Sequence, residues 1–254
     1  MSETNQVEHA QISTALEVEK LEVNLFRSKS LWVPTRARGV FGGQVISQAL
    51  VSATNCIDPS YGLHSLHCYF LLSASPATPI VYEVEKLRQG RTYTACSVKA
   101  IQNGKNIFVL SCSFQKPEPW QPSYQWVMPT VPAPDDCEFE EDRFTRISQD
   151  PTIRSDIRRY YDTYAQERRR SPIAIKMARE HVVRQGDIRY MYWMKAKNIP
   201  KYEAPFQKCI LGYLTDLYLY GLSPEPRIRR TNTQWSLSAQ HRDNFPHNGP
   251  QEAF

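Results

Sequence analysis

The chain has 254 residues, 41% of them hydrophobic, and a net charge of +5. This length and composition predict a globular protein with one large hydrophobic core or two smaller ones. The charge suits anionic ligands such as nucleotides, but without a basic stripe or a nucleic-acid motif it does not indicate DNA or RNA binding.

Cysteine spacing and segment polarity exclude several other classes. The six cysteines have no paired spacing, which favours reduced thiols over disulfide bonds or a zinc site. The N-terminal segment 1–11 is polar, so we expect no signal peptide. The least charged stretch, 39–57, is too short and too polar to span a bilayer. We therefore expect a soluble protein that binds no metal and no membrane.

The first half of the chain contains one helix that could be buried on nearly every face. Residues 16–33 alternate loosely and predict a strand region. After Gly42 and Gly43, apolar residues recur at helical spacing as far as Ile57. Because no residue from Gly39 to Ile57 is charged, this helix has no obvious solvated face and should be enclosed by other elements.

Four predicted strands follow this helix, at 63–72, 80–87, 92–101 and 107–114. The last two flank Asn103-Gly104, a strong signal for a two-residue hairpin because both central residues of that turn need positive φ. A buried helix followed by an antiparallel sheet predicts an α+β chain with a hotdog fold, in which the sheet wraps around the helix.

The middle of the chain reads as a connection between two units. Residues 116–136 are rich in Pro, Gln and Trp with little periodicity. Residues 138–170 are dense in charge, with three consecutive arginines at 168–170. We interpret them as a solvated helical linker, in preference to an anion-binding patch, because charge runs usually mark exposed helices.

The C-terminal half contains the beginning of a second, similar unit. Strands are predicted at 173–176 and 188–196, and a helix at 206–221. Aligned on the first helix, Leu211–Asp216 falls opposite Gln48–Ala53, so Asp216 takes the place of Ala53. Beyond Leu222, prolines and a basic cluster replace alternating apolar residues, and we expect disorder there.

Four segments of the chain together resemble the type II acyl-CoA thioesterases, a double-hotdog family that includes peroxisomal enzymes. They are Gly39-Val40-Phe41-Gly42-Gly43-Gln44, His64 to Phe70, Val98 to Lys105, and Ser113-Phe114-Gln115. The resemblance extends from about residue 16 to residue 221. It implies domain limits of 16–116 for a first hotdog, 117–170 for a linker, 171–221 for an incomplete second hotdog, and 222–254 for a disordered tail.

This resemblance implies hydrolysis of fatty acyl-CoA to free fatty acid and CoA, with no cofactor. The family uses an Asp on the second hotdog helix together with a hydroxyl residue and a Gln from later strands. The matching Asp is Asp216, whereas the two partners have no match in this sequence. The implied mechanism is attack of a water molecule that Asp216 orients and partly deprotonates.

Other polar residues are weaker candidates for the site. We predict that His67, Gly90 and Arg91 bind substrate, with Arg91 near the CoA phosphates. His64 and His67 lie three residues apart in a strand and so should face opposite sides, which argues against a shared metal ion. Cys68 has no neighbouring base pattern and is interpreted as a small core residue rather than a nucleophile.

Alternative functions follow from the second unit. Because its last sheet is missing, the chain could be a truncated, weakly active or inactive relative that binds acyl-CoA or associates with full-length subunits. An enoyl-CoA hydratase ranks last, since Gln44 rather than a carboxylate follows the Gly42-Gly43 pair.

The sequence also carries expectations about assembly and location. An apolar stripe at Phe206, Ile210, Tyr213 and Leu217 should lack its sheet and favour a homo-oligomer. The expected location is peroxisomal or cytoplasmic, although the last three residues do not match the Ser-Lys-Leu type of peroxisomal signal.

Overall fold

The computed structural model describes residues 8, 10–35, 37–120, 122, 124–125, 127–184, 187–199, 204–217, 228–231 and 234–237. The chain begins with a short helix α1 (Ile12–Leu16) and a hairpin of β1 (Val18–Glu22) and β2 (Leu25–Ser28). The predicted strand region 16–33 is thus two strands. Asn24 turns between them with φ of 61°, a left-handed conformation that Asn tolerates.

Helix α2 (Gly42–Asn55) is the buried helix that the sequence predicts. Ala49, Leu50 and Ala53 are fully buried. Its buried amides are paired: Gln44 and Gln48 both donate to the carbonyl of Ala15. Neutral residues on every face allow this helix to be enclosed, because a hydrogen-bonded amide costs far less to bury than a charge.

An antiparallel sheet wraps around α2. It contains β3 (Gly62–Phe70), β4 (Val81–Gln89), β5 (Tyr93–Gln102) and β6 (Lys105–Gln115), in the order β1-β2-β4-β5-β6-β3. Asn103 and Gly104 have φ of 51° and 73°, which confirms the predicted two-residue turn. A helix enclosed by such a sheet is the hotdog fold.

The linker is helical, as predicted, but it is not solvated on all sides. It contains a 3₁₀ turn (Pro134–Asp136), α3 (Glu140–Gln149) and α4 (Ser155–Arg170). Phe144 and Tyr161 are buried between the two helices and stack with ring centroids 5.2 Å apart. The prediction of a solvated helical linker did not include this buried contact, which forms because aromatic residues at helical spacing give α3 and α4 a small core of their own.

The second unit consists of β7 (Ile173–Arg184), β8 (Asp187–Ala196) and α5 (Ala204–Asp216). Strand β7 is longer than the predicted 173–176 and pairs with β8 in an antiparallel ribbon. Helix α5 packs against α2. The predicted continuation of this helix through 218–221 lies outside the described residues.

The apolar stripe expected on α5 is not exposed. Ile210 and Tyr213 are buried in the same core as α2, so the prediction of an uncovered stripe was wrong. Helix α2 of the first unit packs against α5, and the core that buries α5 also contains Ile173, Ile175 and Ala196 from the strands of the second unit. Sequence periodicity shows that a helix face is apolar, but it does not say which element will cover that face.

Residues near the C-terminus include two paired strands. They are β9 (Ile228–Thr231) and β10 (Gln234–Leu237), which form an antiparallel hairpin. The expectation of disorder did not include this hairpin, and the rest of the predicted tail lies outside the described residues. The domain limits 16–116, 117–170 and 171–221 stay a proposal.

Candidate active site

A cavity of about 590 Å³ opens where the N-terminus of α2, the end of β3 and the C-terminus of α5 meet. Its wall is mainly apolar, and its polar side chains are Arg38, Ser73 and Asp216. Apolar lining with a few convergent polar groups is typical of small-molecule sites. The apolar lining residues include Val40, Phe41, Val45, Phe70, Leu71, Leu72, Ile107 and Phe108.

Asp216 brings a carboxylate into this cavity. It is the last residue of α5 and is only 8% exposed. A methyl group added to Gly42 would lie 2.6 Å from Asp216 Oδ2, so the carboxylate sits directly against the first turn of α2. The positive end of the helix dipole at that turn favours a negative charge.

Burial raises the pKa of the Asp216 carboxyl above its ordinary value, while a hydrogen bond from the Gly43 backbone N–H acts in the opposite direction. Burial also raises the pKa of the neighbouring Cys68 thiol, and the Asp216 charge adds to that effect. Cys68 is therefore held as a neutral thiol, which agrees with its interpretation as a packing residue.

Two glycines allow α5 to approach α2 closely enough to place Asp216 beside the first turn of α2. A methyl group on Gly43 would lie 2.8 Å from the Tyr213 carbonyl oxygen, and one on Gly212 would lie 2.9 Å from Ile46 Cγ2. The Ser47 hydroxyl donates to the Cys209 carbonyl at 2.9 Å and ties the two helices together. Small residues at a helix crossing are the sequence signal for such a close approach.

The predicted substrate-binding residues do not gather at this cavity. Gly90 and Arg91 lie in the turn after β4, where the Tyr61 hydroxyl donates to both of their carbonyl oxygens. His67 is exposed on β3 and does not line the cavity. Their roles stay predictions.

His64 is also exposed, and its ring pairs with the Ser113 hydroxyl at 3.0 Å. In the part of the chain that the structure describes, no cluster of three or more His, Cys, Asp or Glu side chains could hold a metal ion. Likewise, none of the described helices is long and apolar enough to cross a membrane.

Arg38 is a cavity residue that sequence reasoning missed. It precedes Gly39 in the segment before α2, its side chain is exposed, and it lines the cavity. The signal that could have identified it is its place directly before the motif that begins at Gly39. A guanidinium in this position can bind phosphate or carboxylate groups through paired hydrogen bonds.

The arrangement can activate a water molecule for attack on a carbonyl carbon. A carboxylate with a raised pKa is a stronger base than an ordinary Asp. The N–H groups in the first turn of a helix have no carbonyl partners within that helix. The Gly43 N–H donates to Asp216, and the Gly42 N–H can stabilise an anion that develops beside the carboxylate.

Comparisons with known proteins show which proteins this chain is similar to. Residues 29–115 match a family model for the acyl-CoA thioesterase N-terminal domain. Acyl-coenzyme A thioesterase 8 of Homo sapiens is 33% identical over 237 residues, which cover 91% of this chain and 72% of that protein. A shorter match, 36% identical over 94 residues, covers 37% of this chain and 27% of the peroxisomal acyl-coenzyme A thioester hydrolase 1 of Saccharomyces cerevisiae.

A solved structure extends the likeness to the fold. The crystal structure of an acyl-CoA thioesterase II from Mycobacterium marinum superposes with a TM-score of 0.61 at 29% sequence identity. The superposition covers 83% of this chain and 70% of that chain. The similarity therefore extends over most of the molecule, well beyond the first hotdog.

Proposed function

This chain belongs to the type II acyl-CoA thioesterase family, and we propose that Asp216 activates the water molecule that cleaves its substrate's thioester bond. Its activity is the hydrolysis of acyl-CoA. One observation supports the role of Asp216: its buried carboxylate lies against the α2 N-terminus, inside an apolar cavity. No cofactor is required for this chemistry.

The reaction proceeds in two balanced steps. Asp216 accepts a proton from water as the water oxygen bonds to the acyl carbonyl carbon. The carbon–sulfur bond then breaks, and the proton passes from Asp216 to the departing CoA sulfur. The products are a free acid and CoA, and Asp216 returns to its ionised state.

The negative charge that develops on the carbonyl oxygen needs donors on the opposite side. We assign this role to the N-terminus of α2, where Gly42 supplies an N–H that has no partner within the helix. Removing one such donor from an enzyme typically costs about 10²- to 10³-fold in kcat. The same helix terminus also favours the ionised form of Asp216.

The cavity wall supports a proposal for where the two parts of the substrate bind. The apolar side chains of Phe70, Phe108 and Val45 form a lining that suits the alkyl chain of a fatty acyl group. Arg38 is exposed beside this lining and suits the phosphates of CoA. We therefore propose fatty acyl-CoA as the substrate class.

The proposal is tested by thiol release from a series of saturated acyl-CoA esters, from short to long chains, in ¹⁸O-labelled water. We expect equal amounts of CoA and free acid, with one labelled oxygen in the acid. Binding of a non-hydrolysable thioether analogue without thiol release from any ester would instead indicate a binding protein. Hydration of an enoyl-CoA with its thioester intact would support a hydratase.

The position of Arg38 leads to a prediction about substrate binding. We expect Arg38→Ala to raise KM for acyl-CoA roughly 10- to 150-fold with little change in kcat, because a charge-assisted hydrogen bond contributes about 1.5 to 3 kcal/mol. Arg91→Ala is the matched variant, at the site chosen from sequence alone. Steady-state kinetics separate the two sites, and a larger KM effect at Arg91 would place the CoA phosphates near β4 instead.

The location and assembly of the chain are further proposals. We propose a peroxisomal location, supported by the match to the yeast peroxisomal enzyme, to be checked by imaging an internally tagged protein.

We also propose that the chain forms a homo-oligomer. The support comes from a sheet edge and not from the apolar stripe on α5. Strand β3 lies at the edge of its sheet, and its next-to-last residue, Tyr69, is 73% exposed. A single monomeric mass in light scattering at all concentrations would contradict this.

A further inference from the structure

A buried cluster of charged groups lies next to α5 and outside the lining of the cavity. Glu8, from the N-terminal segment, has a side chain only 1% exposed, and Arg168 on α4 is also buried. The proposed mechanism uses neither residue. Buried charges are costly unless they are paired, so this cluster needs a physical role that offsets its cost.

Arg168 joins three parts of the chain. Its Nη2 donates to the Ile173 carbonyl at the start of β7 at 2.9 Å. Its Nε lies 3.4 Å from Glu140 Oε2 on α3, and its Nη1 lies 3.9 Å from Glu8 Oε2. The guanidinium therefore locates Glu8 relative to the linker helices and the second sheet.

Glu8 connects this cluster to α5 through a hydrogen bond with Tyr213. The Tyr213 hydroxyl donates to Glu8 Oε1 at 2.7 Å, and the Tyr213 side chain is fully buried. The Tyr213 ring also contacts Phe41 edge to face, with centroids 4.8 Å apart, directly before α2.

Tyr213 is three residues before Asp216, which places the two residues on the same side of α5 and nearly one turn apart. A shift of the Tyr213 side chain would thus tilt or rotate the last turn of α5. Phe41 and Asp216 both line the cavity, so the same shift would change the distance between the carboxylate and the α2 N-terminus.

We propose that Glu8 and Arg168 are positioning residues that hold Asp216 in the cavity through the Tyr213 hydroxyl. This inference rests on the proposed role of Asp216. It predicts that Glu8 contributes to the catalytic rate although it does not line the cavity. The function of the cluster is to set geometry rather than to bind substrate.

Tyr213→Phe tests this proposal because it removes one hydroxyl and keeps the ring against Phe41. We expect kcat to fall at least tenfold, since small misplacements of reacting groups can cost up to about 10²-fold. The Kd of a thioether analogue of acyl-CoA should stay within twofold. Glu8→Gln, which still offers a carbonyl oxygen to Tyr213, should lose less activity than Glu8→Ala.

Tyr82→Phe is the matched control. Tyr82 is also fully buried, and its hydroxyl donates to Gln48 Oε1 at 2.8 Å. Unlike Tyr213, it belongs to the first sheet, on β4. We expect kcat to remain within twofold of the unmodified protein. Thermal unfolding would be measured for all variants, to verify that each is folded at the assay temperature.

The outcomes separate this inference from the proposed function. If Tyr213→Phe keeps its kcat, or loses the same factor as Tyr82→Phe, the positioning role is wrong and the role of Asp216 is untouched. A loss of analogue binding in parallel with kcat would also reject it, since it would indicate general damage to the cavity. Wild-type activity in Asp216→Asn would refute the mechanism itself.

Discussion

Replacing Asp216 with Asn should lower kcat by at least about a hundredfold, the usual contribution of a positioned general base. Asn has the same shape, and its amide oxygen can still accept the hydrogen bond from the Gly43 N–H. The substitution therefore removes the base without creating a cavity. Thiol release measured under single-turnover conditions would follow the chemical step directly.

The same variant should unfold at a higher temperature than the unmodified protein at pH 7. Burial raises the pKa of Asp216 in the folded state, so the ionised carboxylate is less stable there than in the unfolded chain. This penalty is complete above the folded-state pKa and absent below the ordinary Asp value of 3.8. The difference in Tm between the two proteins should therefore disappear as the pH falls below that value.

Asp58→Asn provides a control of opposite sign. The hydrogen bond from the Ser60 side chain lowers the pKa of the fully exposed Asp58. Its ionised form therefore favours the folded state, and this contribution is lost as the pH falls through the folded-state pKa. We expect Asp58→Asn to leave kcat unchanged and to lower Tm slightly at pH 7. A loss of Tm in Asp216→Asn would contradict the proposed burial penalty.

Gly43→Ala should reduce both activity and stability. The added methyl group would lie 2.6 Å from the Phe41 ring and 2.8 Å from the Tyr213 carbonyl oxygen. The ring can rotate away, but the backbone oxygen of α5 can move only with its helix. Overpacking of this kind costs about 1 to 3 kcal/mol, of which the higher helix propensity of Ala returns up to about 1 kcal/mol.

We expect the rate of Gly43→Ala to fall further than its loss of stability alone would explain. A displacement of α5 by about 1 Å would move Asp216 away from the α2 N-terminus and could cost about 10²-fold in rate. Gly62→Ala is the matched control, since its nearest neighbour would be Lys208 Nζ at 3.5 Å. Rate and denaturant unfolding would be measured for both, and equal effects would exclude a special role for the helix contact.

Much of the first hotdog could be predicted because its signals are local. The uncharged helix, the alternating strands and the Asn103-Gly104 turn each depend on neighbouring residues. The same local signals predicted the helices of the linker and α5, but not which of their faces are buried. Whether Tyr213 or Tyr161 is buried depends on which distant element packs against it, and periodicity carries no information about that partner.

The candidate site was predicted only in part for the same reason. Asp216 was identified through its match to a family motif, and a cavity that contains it exists. Arg38 was overlooked, and no pattern links Glu8 to Tyr213, which are separated by 205 positions. Pairs so far apart meet only after several elements have packed.

The order of residues was thus sufficient to establish the hotdog architecture, the family and the carboxylate at position 216. Only the folded molecule decided that this carboxylate faces the N-terminus of α2, that Arg38 borders its cavity, and that Glu8 bonds to Tyr213 of the same helix. The physical reason is that helix and strand signals arise from neighbours along the chain. An active site is formed by contacts between distant segments, whose geometry is determined by the close packing of the core.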